Sequence, residues 1–122
     1  MTTPSVATDP ACLFCRIVAG EIPAAFVHED DLVVAFPDIA PRAPTHILVI
    51  PREHIVSAAA LTDADSTTVG RLFAVAAQVA RDAGIADAGY RLVTNVGRAA
   101  GQTVDHLHIH LMGGRSMTWP PG

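Results

Sequence analysis

Two hydrophobic periods alternate along this chain, one helical and one extended. In LFCRIVAGEIP the apolar residues Leu13, Phe14, Ile17 and Val18 fall at helical spacing, and Gly20 with Pro23 predicts the stop. AFVHEDDLVVAFPD predicts two short strands, 24–28 and 32–36, joined by an acidic turn at 29–31. Pro37 has no N–H for a ladder and should end the second of them. THILVIP, 45–51, lies between Pro44 and Pro51 and predicts a buried strand. SAAALTDAD reads as a turn or short helix. From 64 or 65 to 83 the residues Val69, Leu72, Phe73, Ala76, Val79 and Ala80 keep a helical period, and Gly84 takes the usual position just past a helix end. YRLVTNV, 90–96, predicts a strand, GRAAGQTV a glycine-containing loop, and VDHLHIHLMGG a final strand closed by Gly113 and Gly114. The tail SMTWPPG holds two prolines and a glycine and predicts no regular structure. A short helix, three strands, a long helix and two strands, joined by short turns, predict an α+β domain with an antiparallel sheet.

Size and charge narrow the partners. At 122 residues the chain suits one domain, with 11–122 as the folded unit. The first ten residues, MTTPSVATDP, lack a charged n-region and an apolar h-region and read as a frayed tail. A net charge of −4 without basic runs argues against a nucleic acid polymer or an anionic membrane as partner. A small anionic ligand can still bind through backbone N–H groups. No apolar run approaches the roughly 18 residues of a membrane span. The expected compartment is the cytoplasm, where Cys12 and Cys15 stay reduced and favour a metal or redox reading over a disulfide.

The segment VDHLHIHLMGG changes the picture most. On a strand, His106, His108 and His110 share one face and Leu107, Ile109 and Leu111 the other, so the apolar face meets a core and the imidazoles face a cleft or solvent. A histidine-rich exposed face is the plain reading. A three-histidine metal site is disfavoured, because residues two apart lie roughly 7 Å apart and residues four apart roughly 13 Å. Nucleophilic and acid–base chemistry remains. A neutral imidazole is a good nucleophile near neutral pH, its neighbours hold its tautomer, and a phosphoryl or nucleotidyl group suits the surrounding donors.

The pattern HLHIHLM resembles the signature of the histidine triad superfamily. The likeness extends through LFCRIVAGEIPA, EDDLVVAFPDIAPRAPTHILVIPREHI and GYRLVTNVGRAAGQTVDHLHIHLMGGR to WPPG. DIAPRAPTHILVIP, NVGRAAGQ and WPPG together are similar to the Hint branch, the histidine triad nucleotide-binding proteins. The resemblance implies the histidine triad fold, with a five-stranded antiparallel sheet, one long and one short helix, and a dimer that joins two sheets into ten strands. It implies hydrolysis of purine nucleoside phosphoramidates, and of aminoacyl-adenylates, with AMP or GMP released and no cofactor needed for the chemistry.

Site residues follow from the same resemblance. His108 would attack the α-phosphorus. His110 would contact the phosphate and help protonate the leaving nitrogen. His46, by itself an ordinary packing histidine, matches the fourth histidine beside the triad, and His106 completes the catalytic set. Asn95, Gly101, Gln102 and Thr103 would face the phosphate, with Thr103 where many relatives carry serine; Gly97 and Gly101 also suit a close phosphate cradle by their own conformational freedom. Asp38, otherwise a turn aspartate, would hold the ribose. Ile39, Leu13, Phe14, Ile17 and Ile22, otherwise core, would form the base slot. Trp119 would shape leaving-group specificity from the partner subunit. Cys12 and Cys15 have a spacing that suits one zinc. With His54 and His106 they match a structural zinc set found in some histidine triad proteins, a role that competes with a relay between His106 and His46. The rival readings are a dinucleoside polyphosphate hydrolase of the Fhit-like branch, a nucleotide-binding sensor or scaffold, and a zinc-dependent hydrolase.

Overall fold

The computed structural model describes residues 7–122. Its elements are α1 (Leu13–Val18), β1 (His28–Glu29), β2 (Val33–Pro37), β3 (Thr45–Pro51), α2 (Ser66–Asp82), β4 (Tyr90–Val93) and β5 (Ile109–Gly113), with single 3₁₀ turns at Ala58–Ala60, Asp63–Asp65 and Arg98–Ala100. The five strands form one antiparallel sheet in the order β1-β2-β3-β5-β4, as the short turns predict. Among the described residues no helix is long and apolar enough to cross a membrane.

The sheet carries a separate core on each face. On one face α2 lays Leu72, Val75, Ala76, Val79 and Ala80 against Val33, Ala35, Ile47, Val49, Leu107, Ile109 and Leu111. The spacing of those helix residues is the i, i+3, i+4 stripe of a surface helix. Phe73, counted into the stripe from the sequence, turns outward and is 50% exposed. On the other face α1 brings Cys12, Phe14, Cys15 and Ile17 onto Val34, Phe36, Leu48 and Ile50. β2 is therefore covered on both sides, which explains its unbroken apolar run. α2 ends where Gly84 predicts. Gly84 takes φ +76°, its N–H donates to the Arg81 carbonyl, and the Ile85 N–H donates to the Ala80 carbonyl, which satisfies the last turn.

Three strand expectations need correction, and residues 7–10 of the expected tail make contacts with the fold: the His54 N–H donates to the Ala7 carbonyl at 2.7 Å, and the Asp9 N–H points to Cys15 Sγ at 3.4 Å. Residues 1–6 of the expected tail lie outside the described residues. The strand expected at 24–28 pairs as β1 only at His28–Glu29, after a single bond from the Val27 N–H to the Ala35 carbonyl. The strand expected at 90–96 stops at Val93. The final strand starts only at Ile109, so His106 and His108 precede it.

Candidate active site

His106 and His108 lie outside the ladder, although β3 itself runs on to Pro51. The register of β5 on β3 ends at Val49 opposite Ile109. The chain then turns beneath the segment after β3, with the Leu107 N–H donating to the Ile55 carbonyl at 2.6 Å. Leu107, Ile109 and Leu111 still face the α2 core, as the alternation predicts. The imidazoles are not open to solvent as a simple strand would leave them. His106 is 0% exposed and His108 5%, both against Phe14 of α1, whose ring meets them edge-on with centroids 5.8 and 5.2 Å away.

Hydrogen bonds fix the tautomer of each ring, through the backbone for His108 and His46 and through His46 for His110. His108 Nδ1 lies 2.7 Å from the His106 carbonyl, and only an N–H can satisfy that oxygen. The Nε2 lone pair of His108 is thereby left as the free, nucleophilic position. The His108 carbonyl accepts from Thr94 Oγ1 at 2.8 Å, so both ends of the residue are held. The Arg42 N–H donates to His46 Nδ1 at 2.9 Å. Neutral His46 then carries its hydrogen on Nε2 and donates it to His110 Nδ1 at 2.9 Å. That leaves His110 with an Nε2–H donor, its ring 4.9 Å from that of His108. Asp38 Oδ2 stands 3.5 Å from His46 Nε2.

Burial keeps His46 and His110 neutral. It lowers the pKa of His110 to about 4, with His108 and His46 adding repulsion to any charge there. It lowers His46 as well, against the pull of Asp38. His110 is thus a neutral N–H donor at pH 7. An anionic phosphoryl group beside it would favour the charged form and recruit the proton for a leaving group.

The row opens into a slot of about 620 Å³, within the ~300–1,000 Å³ usual for small ligands. The five residues expected around a base, Leu13, Phe14, Ile17, Ile22 and Ile39, all line it, and so do Asp38, Thr103, His108 and His110. Ile39 stands at the rim, 99% exposed. Phe36, Leu48, Val104 and the 23–25 turn complete the walls; sequence reasoning missed them because a slot wall and a core carry the same apolar pattern.

The other expected contacts lie elsewhere. Gln102 is 6% exposed, and its side chain is engaged by backbone: Oε1 accepts from the Gly97 N–H at 2.9 Å, and Nε2 donates to the Val56 and Val104 carbonyls at 2.8 and 3.0 Å. It latches the glycine loop instead of facing the slot. Asn95 is half-buried past the end of β4, and Gly101, at φ +90°, closes the 3₁₀ turn; neither is among the residues lining the slot. Trp119 is 82% exposed, in a tail tied down by Arg91 Nη2 donating to the Thr118 carbonyl at 2.8 Å.

Behind the nucleophile sits a second cluster. Cys12 Sγ lies 3.4 Å and Cys15 Sγ 3.6 Å from His106 Nδ1, and Cys15 Sγ lies 3.3 Å from His54 Nδ1. His106 Nε2 donates to the Pro51 carbonyl at 2.8 Å, which leaves Nδ1 as a lone pair facing the sulfurs. With Zn–S of about 2.3 Å and Zn–N of about 2.05 Å, a tetrahedral site separates S from N by about 3.6 Å. The four residues fit zinc in donor chemistry, spacing and the carbonyl behind the ligating imidazole. The ring of His106 thus faces the cysteines, while that of His46 meets His110. His106 reaches the nucleophile through its backbone carbonyl alone.

The chain matches the HIT domain family model over residues 19–117. It is 47% identical over 105 residues to the purine nucleoside phosphoramidase of Escherichia coli K12, covering 86% of this chain and 88% of that protein. It is 49% identical over 110 residues to a HIT-like protein of Synechocystis sp., covering 90% and 96%. Among solved structures it superposes on a HIT family hydrolase from Legionella pneumophila with a TM-score of 0.89 at 50% identity, covering 91% and 99%. A HIT family hydrolase from Clostridium thermocellum gives 0.89 at 46%, covering 91% and 96%. The fold, the paired imidazoles and these matches agree: the chain belongs to the HIT domain family.

Proposed function

We propose that this protein hydrolyses the P–N bond of purine nucleoside 5′-phosphoramidates, aminoacyl-adenylates being a related substrate class. The observation that carries this reading is His108, whose Nδ1–H is held by the His106 carbonyl while its ring lines an apolar slot that also contains Asp38. The base would lie between Leu13, Phe14, Ile17 and Ile22, and Asp38 would accept hydrogen bonds from the ribose hydroxyls. His108 Nε2 attacks the α-phosphorus, a P–N(imidazole) bond forms, and the P–N(amine) bond breaks. His110, which takes up a proton when the anionic phosphoryl group sits beside it, passes that proton to the leaving amine. Water then cleaves the nucleotidyl-histidine: the water oxygen joins the phosphorus, its proton returns to His110, and AMP or GMP leaves as His108 is freed. The phosphoramidase of E. coli supports the choice of bond. Zinc at Cys12, Cys15, His54 and His106 would stabilise the fold and takes no part in these steps. The open β4 edge and exposed Phe73 support a homodimer that pairs copies of this chain.

The test is AMP release from adenosine 5′-phosphoramidate by the wild type and by His108→Ala, with intact mass of the quenched wild-type protein. Turnover confined to the wild type, with an AMP-sized adduct on His108, is expected. Equal release by both proteins overturns the nucleophile. Faster turnover of a diadenosine polyphosphate would transfer the reading to that class, and loss of turnover on chelation to a metal-dependent hydrolase.

A further inference from the structure

We propose that the Cys12–Cys15–His54–His106 cluster governs nucleotide affinity, because metal held there seats both the wall of the base slot and the nucleophile; Cys12 and Cys15 are positioning residues. This rests on the nucleotide reading of the slot. The first observation is the size of α1. Six residues are far too few for a helix to persist alone, so tertiary contacts must hold it. The contacts are two-sided. Cys12 caps the helix, its Sγ accepting from the Cys15 N–H at 3.4 Å, and both sulfurs face His106. Leu13, Phe14 and Ile17, from the same six residues, line the slot. A ligand set and a substrate wall are thus built on one short helix that cannot move one without the other.

The second observation is His106. Its Nδ1 faces the sulfurs, its Nε2 is anchored on Pro51, and its carbonyl holds the Nδ1–H of His108. Phe14 closes the circuit by touching both imidazoles. Without metal, the three S···N contacts rest on thiols, which are weak donors and weak acceptors. With metal, two thiolates and two imidazole lone pairs are bound in fixed directions. Metal therefore removes freedom that nucleotide binding would otherwise have to remove, and the two affinities must rise together by one common factor.

The experiment measures AMP binding by calorimetry to chelator-treated protein and to protein reloaded with one equivalent of zinc, and separately zinc affinity with and without saturating AMP. The expected result is an AMP Kd at least about tenfold tighter in the zinc form, with zinc tightened by AMP by the same factor. KM should follow the Kd, while kcat changes less. His54→Asn supplies the second arm, since His54 touches neither the slot nor His108; it should lose tight zinc binding and show the weak AMP Kd whether or not zinc is added. Equal AMP Kd in both forms of the wild type overturns the coupling and leaves the nucleotide reading standing. So does a zinc-free His54→Asn that binds AMP like the reloaded wild type. Absence of AMP binding in either form overturns the nucleotide reading itself, and the coupling with it.

Discussion

Replacing Gln102 by alanine separates two accounts of the loop before the triad. As a phosphate contact, the role the family resemblance implies, its loss would raise KM and leave stability alone. As the latch seen here, its loss breaks three hydrogen bonds to backbone groups at Gly97, Val56 and Val104. Each contributes on the order of 1 kcal/mol net, so Gln102→Ala should cost ~3 kcal/mol. With an unfolding entropy of ~2.1 cal/mol/K per residue, a chain of this length loses ~12 K in Tm. Gln102→Glu keeps the shape but turns a carboxylate oxygen toward the Val56 and Val104 carbonyls, and should cost at least as much. The assay is thermal unfolding at fixed protein concentration beside steady-state kinetics on adenosine 5′-phosphoramidate. A variant with wild-type Tm and a raised KM would refute the latch.

Three further outcomes are expected. Burial lowers His106 and His110 to about 4, below the roughly 6.5 of the unfolded chain, so the unfolded state binds more protons between these values and metal-free protein should lose stability as pH falls from about 6.5 to 4. The fully buried His106 alone accounts for on the order of 3 kcal/mol of this, and a urea midpoint that is flat over that window would contradict it. Gly101→Ala, at φ +90°, should destabilise by ~1–2 kcal/mol through backbone strain, whereas Gly70→Ala, inside α2 with open space around it, should stabilise by up to ~1 kcal/mol; denaturant titration compares the two signs directly. Thr94→Val removes the hydroxyl that holds the His108 carbonyl and should lower kcat more than it raises KM, an expectation that unchanged kcat would defeat.

Legibility from sequence followed the range of the forces involved. β3 matches its expected bounds, 45–51, because prolines flank an apolar run that is buried on both faces. α2 and its stop were readable for the same local reason, a periodic stripe followed by a glycine. The late start of β5 was not, since the chain before it bonds the segment after β3, the Leu107 N–H donating to the Ile55 carbonyl, and that long-range contact leaves no mark in residue type. The side-chain bonds of Gln102 were not legible, because its partners are backbone groups at positions 56, 97 and 104, which leave no mark in residue type. The docking of residues 7–10 likewise depends on the main chain of His54 and the sulfur of Cys15. The slot residues were assigned by family likeness alone, as apolar periodicity cannot tell a wall awaiting a ligand from a finished core.

Alternation between 106 and 111 also bears on how this chain can change. Each odd position belongs to the α2 core and each even one to the row of imidazoles, so neighbouring codons are subject to different selective demands. Substitutions that tighten the α2 layer can add folding free energy while leaving the rings in place, and that reserve lets the opposite face absorb destabilising changes in search of new leaving groups. The slot side of the sheet is free to explore chemistry because the far side of the same strand is devoted to keeping it folded.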